Sequence, residues 1–156
     1  MISKTVNATE LIIRAMQPED LEQVVGLDAM ASGLTRNDFF RRRWQAMQSK
    51  PQSYIGMVAA SRDGIDGFIL GHILTGEFGA RRRLAIIDGL AVAELHRGSG
   101  VATNLMEAFK NRSRELECVE IRTMAEWDRQ DLLGFFARTG FTPAPVNVLE
   151  KSFEQP

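Results

Sequence analysis

The chain is poor in the residues that most often announce a site or a staple: one cysteine, one tyrosine, two histidines and five prolines in 156 residues. The lone Cys118 excludes an intramolecular disulfide framework and a multi-cysteine zinc site. His72 and His96 have no partner cluster at ligand spacing, so no metal is expected, and no histidine and carboxylate are spaced to suggest a catalytic triad. No apolar run is long enough to span a membrane, and the polar start from Met1 to Glu10 does not read as a secretory signal. A net charge of −1 gives no electrostatic case for a nucleic-acid partner. The triplets Arg41-Arg42-Arg43 and Arg81-Arg82-Arg83 read as the wet face of a helix and a solvated loop. The expectation is a cytoplasmic protein without membrane or nucleic-acid partners.

What the chain does have is enough apolar material for one compact domain over residues 1–156, at 44% hydrophobic and 25% charged, with residues 1–9 as a flexible N-terminal extension. Leu11 to Ala15 reads as a strand, and Pro18 sits where a first helical turn tolerates proline. Leu21, Val24, Val25 and Ala31 recur at helical spacing before Gly33. Thr35 to Asp38 resembles a capping box for a second helix, whose Phe40, Trp44 and Met47 form a stripe for the core or a cleft wall. Three strands follow as an antiparallel meander: Tyr54 to Ala60, Phe68 to Thr75 and, after a loop through Gly76 to Gly79, Leu84 to Val92. Val101 to Leu116 returns to helical spacing, and Val119 to Thr123 alternates like a strand. Leu132, Leu133 and Phe136 mark a last helix ending near Gly140, and a final strand is expected from Val146 to Phe153.

The densest signal is His96-Arg97-Gly98-Ser99-Gly100-Val101-Ala102, which follows the third meander strand and opens a helix. Two glycines let the backbone adopt unusual dihedrals and approach a ligand, so the amides from Gly98 to Ala102 can converge on one anion at the positive end of the helix. The terminal Gly-Lys-Ser/Thr of a P-loop is missing, and Thr103 stands where a dinucleotide fingerprint needs glycine or alanine.

Arg97 to Ala102 matches the Arg/Gln-x-x-Gly-x-Gly/Ala pattern of the GNAT superfamily of acyl-CoA-dependent N-acyltransferases, and Ile86 to Val92 resembles the strand that precedes this turn in that family. The order β-α-α-β-β-β-α-β-α-β from Leu11 to Phe153 is similar to the family's mixed, mostly antiparallel sheet flanked by helices, an α/β (α+β) fold. The resemblance implies acetyl-CoA as cosubstrate, held at Arg97, Gly98, Ser99, Gly100, Val101 and Ala102. It also implies a slot between splayed strands, where pantetheine pairs with main chain at Leu90, Ala91 and Val92. The implied acceptor is a small-molecule or peptide amine, and dimerisation of two copies through strand edges is open. A second reading keeps the scaffold but not the activity, as an acyl-CoA-binding or regulatory domain.

An amine must be neutral to attack a thioester, and a lysine-like amine costs about 4.6 kcal/mol to deprotonate at pH 7, against about 1 kcal/mol for an α-amine. Asp88 falls where many GNAT members carry an acidic residue and would share a strand face with Ile86, Leu90 and Val92. It is the candidate general base, acting through water; the alternative is a carboxylate paired with a nearby arginine or capping a turn beside Gly89. The family's tyrosine before a Gly-Phe pair, placed to protonate the departing sulfur, is Phe136 here, and its usual asparagine is replaced by Asp128 or Arg129. Tyr54 reads as a half-buried aromatic. Glu126 and Asp128 read equally as a solvated loop or as ligands for a cationic amine.

Overall fold

The computed structural model describes residues 10–76 and 81–154; the N-terminal extension, and the loop after Gly76 as far as residue 80, lie outside them. The described residues fall into two compact units, Met1–Met124 and Ala125–Pro156.

The first unit is a five-stranded sheet in the order β1-β2-β3-β4-β5, formed by Ile12–Ala15, Tyr54–Ser61, Gly64–Thr75, Arg83–Val92 and Glu120–Thr123. All neighbours are antiparallel except β4 and β5, which run parallel because a helix, α3 (Val101–Glu115), connects them. The meander expected from alternation is thus present, and its strands carry two covered faces. On one face lie α1 (Leu21–Ser32) and α2 (Asn37–Ser49), whose Val24 and Phe40 join Val58, Phe68, Leu70 and Ala91 in a single core. Phe40 meets the Phe68 ring edge-on at 5.9 Å. On the other face α3 inserts Leu105 and Phe109, both fully buried, against the glycines of β3.

Local chemistry explains where the helices begin and end. Gly33 closes α1 in the left-handed conformation (φ 74°) and donates its N–H to Ala29 O at 2.8 Å, so the expected stop is there. The capping box expected before α2 is not: no side chain caps that helix, and Arg36 instead reaches back to Asp28, with its Nε donating at 2.8 Å. An ion pair thus fastens the α1–α2 junction, while the first turn of α2 has no side-chain cap.

Asp20, at the entry to α1, accepts from Arg14 at 2.6 and 2.9 Å and from the Gln17 N–H at 2.8 Å, with its side chain 5% exposed. The hydrogen bonds from Arg14 hold its carboxyl below the usual range, against the opposing pull of burial. A lowered folded-state value means stability that is present above the ordinary aspartate range and lost as pH falls through the lowered one. Asp20→Ala is expected to lose about 2–3 kcal/mol at pH 7. In urea unfolding series the gap between variant and wild type should shrink below about pH 4; a constant gap would contradict this account.

In the second unit, α4 (Gln130–Arg138) ends in a Schellman motif: Phe141 N–H donates to Phe136 O at 2.9 Å and Gly140 N–H to Ala137 O at 3.1 Å, with Gly140 at φ 93°. The rings of Phe136 and Phe141 meet at 5.1 Å, the apolar contact that accompanies this motif. No strand follows. The expected strand from Val146 to Phe153 is irregular chain, with Val146, Val148, Leu149 and Phe153 all exposed. Alternation gives a segment the capacity to pair, but Pro143 and Pro145 remove two ladder donors at its start, and among the described residues it meets no partner strand.

Candidate active site

The glycine turn leaves a run of main-chain amides unpaired at the start of α3, a cradle of N–H groups. After β4, Glu94–His96 forms one 3-10 turn, Gly98 and Gly100 both take left-handed dihedrals (φ 80° and 85°), and α3 starts at Val101. Among the described residues the amides of Gly98, Gly100, Val101, Ala102 and Thr103 have no protein acceptor, and α3 has no side-chain cap and no acidic residue in its first turn. A Cβ at Gly98 or Gly100 would meet nothing within 4 Å, so the space in front of the turn is open. Arg97 donates through Nε to Val92 O at 3.4 Å, which fastens the turn to the end of β4. Ser99 bonds back to His96 O and does not present a free nucleophile.

Beside the cradle, β4 is paired on one side only. Parallel pairing with β5 runs from Leu84↔Glu120 to Ile87↔Thr123 and stops there, so Asp88 to Val92 face no strand on that side among the described residues. Where the family resemblance implies a slot, β4 thus has a bare strand edge. At its head the β3–β4 register slips: Leu70 faces Gly89, Gly71 faces Ile87, and Asp88 is left over as a β-bulge. The bulge leaves Asp88 on the expected face with Ile86 but corrects the part of the expectation that put Leu90 and Val92 there too. Leu90 and Val92 pair with Ile69 and Gly67 on the α3 side, whereas Gly89 looks onto Phe68 and Ala91 joins the α1–α2 core. Asp88 shares that α1–α2 side with Gly89 and Ala91 instead.

There its carboxylate meets two partners. Arg43 Nη1 donates to Oδ2 at 2.5 Å, and His72 Nδ1 lies 2.8 Å from Oδ2 and 3.0 Å from Oδ1. Asp88 is exposed as a residue, yet its side chain is only 19% exposed, so the open part is its main chain at the slot. Arg43 is held in turn between the rings of Phe39 and Tyr54, at 5.2 and 5.1 Å from their centroids. The arginine pairing allowed for Asp88 is observed, and the reading of Arg43 as a wet helix face is corrected: its side chain is 14% exposed. Arg41 does lie on the surface, paired with Asp38.

Sequence reasoning took His72 for a packed or solvent-exposed histidine without a partner, and the structure gives it one. It stands 16 residues before Asp88, opposite Tyr54 in the β2–β3 register, and a bulge set by packing decides that the two side chains meet. His96, beside the cradle, leans on the buried Asp66 at 3.4 Å. Tyr54, Trp44 and Met47 line a cleft of about 250 Å³ beside β1 and β2; Phe40 lies in the core, and Trp44 and Met47 pack against that core while also walling the cleft. In the second unit, Phe136 packs its ring against Phe135 and Phe141, Glu126 and Asp128 are exposed, and Arg129 pairs with Asp131. Burial raises the Cys118 thiol above its ordinary range and makes it a poor nucleophile. Among the described residues no group of three metal-ligating side chains occurs, and no helix is long and apolar enough to cross a membrane.

A bare strand edge thus leads to a turn of unpaired main-chain amides at the start of α3. The model of the acetyltransferase (GNAT) family matches residues 21–141, and the chain belongs to that family. Solved structures agree on the fold. A transcriptional regulator from Bacillus halodurans C-125 superposes with a TM-score of 0.77 at 24% identity, over 92% of this chain and 100% of that one. The aminoglycoside N-acetyltransferase AAC(6')-Iy, in complex with CoA, gives 0.80 at 16% identity, over 94% and 97%. Glucosamine-6-phosphate N-acetyltransferase from Arabidopsis thaliana gives 0.73 at 14%, over 93% and 99%. No curated protein matches the sequence.

Proposed function

We propose that the protein is an acetyl-CoA-dependent N-acetyltransferase of the cytoplasm, acting on a primary amine by direct attack in a complex of both substrates. The observation that carries the reading is the continuity of cradle and bare edge. Gly98, Ser99, Gly100, Val101 and Ala102 take the diphosphate, with Arg97 adding charge, and the edge from Val92 back to Asp88 receives the pantetheine amides through Leu90, Ala91 and Val92. Four residues of extended strand cover about 13 Å, which brings the far end of that arm to Asp88. Acetyl-CoA supplies the activated acetyl group as a thioester. The chain's own part is to hold that arm, exclude water along the α1–α2 side, and receive the amine's proton at the cluster around Asp88. Phe136 offers no proton to sulfur, and a thiol of ordinary pKa near 8.5 leaves tolerably as its anion.

Thiol release from acetyl-CoA over a panel of spermidine, kanamycin and an alanyl peptide tests this. Amine-dependent release above the hydrolysis background is the expected result. Acetyl-CoA binding with no release on any amine would favour the non-catalytic reading. AAC(6')-Iy in complex with a bisubstrate analogue is the reason for including an aminoglycoside.

A further inference from the structure

We propose that His72 is the group that takes the proton from the attacking amine, through Nε2, and that Asp88 and Arg43 position it; the inference rests on the acetyltransferase reading above. Three observations lead there. The carboxylate of Asp88 already accepts from Arg43 and meets His72, with both contacts converging on Oδ2, and each of them lowers its appetite for a further proton. Arg43 cannot easily swing aside, because its guanidinium is sandwiched between Phe39 and Tyr54. The imidazole, by contrast, has its Nδ1 committed to Asp88 and, among the described residues, no protein partner on Nε2, while its side chain is 29% exposed.

A carboxylate on Nδ1 fixes the tautomer: Nδ1 carries the hydrogen and Nε2 keeps its lone pair. It also steadies the imidazolium that forms when Nε2 is protonated, the same division of labour found wherever a buried carboxylate orients a histidine base. Arg43 supplies a fixed positive charge beside the carboxylate. The groups facing the ring are Asp88 from β4, Arg43 from α2 and Tyr54 from β2. Asp88 is also the first β4 residue beyond the β5 pairing, which puts His72 one side chain away from the head of the slot.

The step balances without further reagents. An ammonium group gives one proton to Nε2, its freed lone pair forms the N–C bond to the acetyl carbonyl carbon, and the C–S bond breaks with its electron pair on sulfur. The nitrogen loses a second proton as the amide forms. Of the two protons, one ends on the thiolate and the other passes to water, which leaves Nε2 free again.

Two measurements on the full-length protein decide the matter. Nitrogen-15 NMR of histidine-labelled protein, with and without acetyl-CoA, should show an Nδ1–H tautomer for His72, assigned by difference from His96→Gln, and Asp88→Asn should disturb it. An Nε2–H tautomer overturns the proposal whatever the activity. In kinetics with whichever amine of the panel is accepted, His72→Gln should lower kcat by about 100-fold or more. It should also lose the acidic limb of the pH profile and leave the acetyl-CoA Kd within twofold, which verifies the fold. His72→Gly should be partly restored by added imidazole. Asp88→Asn should lose less and keep the limb, since the base is still present. A His72→Gln enzyme within fivefold of wild type, or one that keeps the limb that Asp88→Asn removes, overturns the assignment of the base while the acetyltransferase reading stands. Wild-type protein that binds acetyl-CoA but acetylates none of the amines overturns that reading and the proposal with it.

Discussion

Gly71→Ala is expected to destabilise the protein by about 3 kcal/mol or more, a heavy penalty for one methyl group. A Cβ at this β3 position would lie 2.3 Å from the Ile86 carbonyl oxygen and 2.6 and 2.7 Å from the Phe109 ring. Neither can yield cheaply: the carbonyl belongs to the β4 backbone, and Phe109 is fully buried as the main anchor of α3. Pushing the ring outward lifts the helix whose first turn forms the cradle, so acetyl-CoA affinity should fall as well. Gly26→Ala is the control. That glycine lies inside α1 with nothing within 4 Å of a new Cβ, and helix propensity alone should raise stability by about 0.5–1 kcal/mol. Thermal or urea unfolding should thus give opposite signs for the same chemical change; equal effects would contradict the packing described for α3.

Gly100→Glu should weaken CoA binding by about 100-fold or more, equivalent to about 2.7 kcal/mol, as read by isothermal titration calorimetry. The side chain has room, so packing is not the cause. A carboxylate one residue before α3 accepts from the same free amides that the diphosphate needs and adds charge repulsion, and the helix dipole favours it there. Gly100→Ala separates the backbone contribution: at φ 85° it should cost the fold about 1–2 kcal/mol and affinity less than tenfold. Equal losses from alanine and glutamate would locate the effect in backbone strain and not in competition for the amides.

Much of this was legible in the sequence where the physics is local. Helical and strand periodicities placed α1 to α4 and β1 to β5, and Gly33 and Gly140 marked helix ends because a left-handed residue is cheap only there. The glycine turn was legible for the same reason: two positive-φ positions between a strand and a helix are a local requirement. What was not legible depends on partners distant in sequence. The bulge at Asp88 belongs to the pairing of β3 with β4: alternation correctly keeps Asp88 on the face of Ile86, but the bulge moves Leu90 and Val92 to the other one. Arg43 looked like its neighbours in the triplet; only the approach of α2 to β4 separates it from Arg41. The segment from Val146 to Phe153 has the residues of a strand, but pairing is a property of two segments.

The most direct test of the account is a nitrogen-15 amide titration of the full-length protein with CoA. The account predicts that the largest shifts fall on Gly98 and Gly100 to Thr103, the free amides of the cradle, and on Asp88 to Val92, the unpaired edge of β4. Saturable binding that leaves those two segments unmoved, or no binding at all, would contradict it.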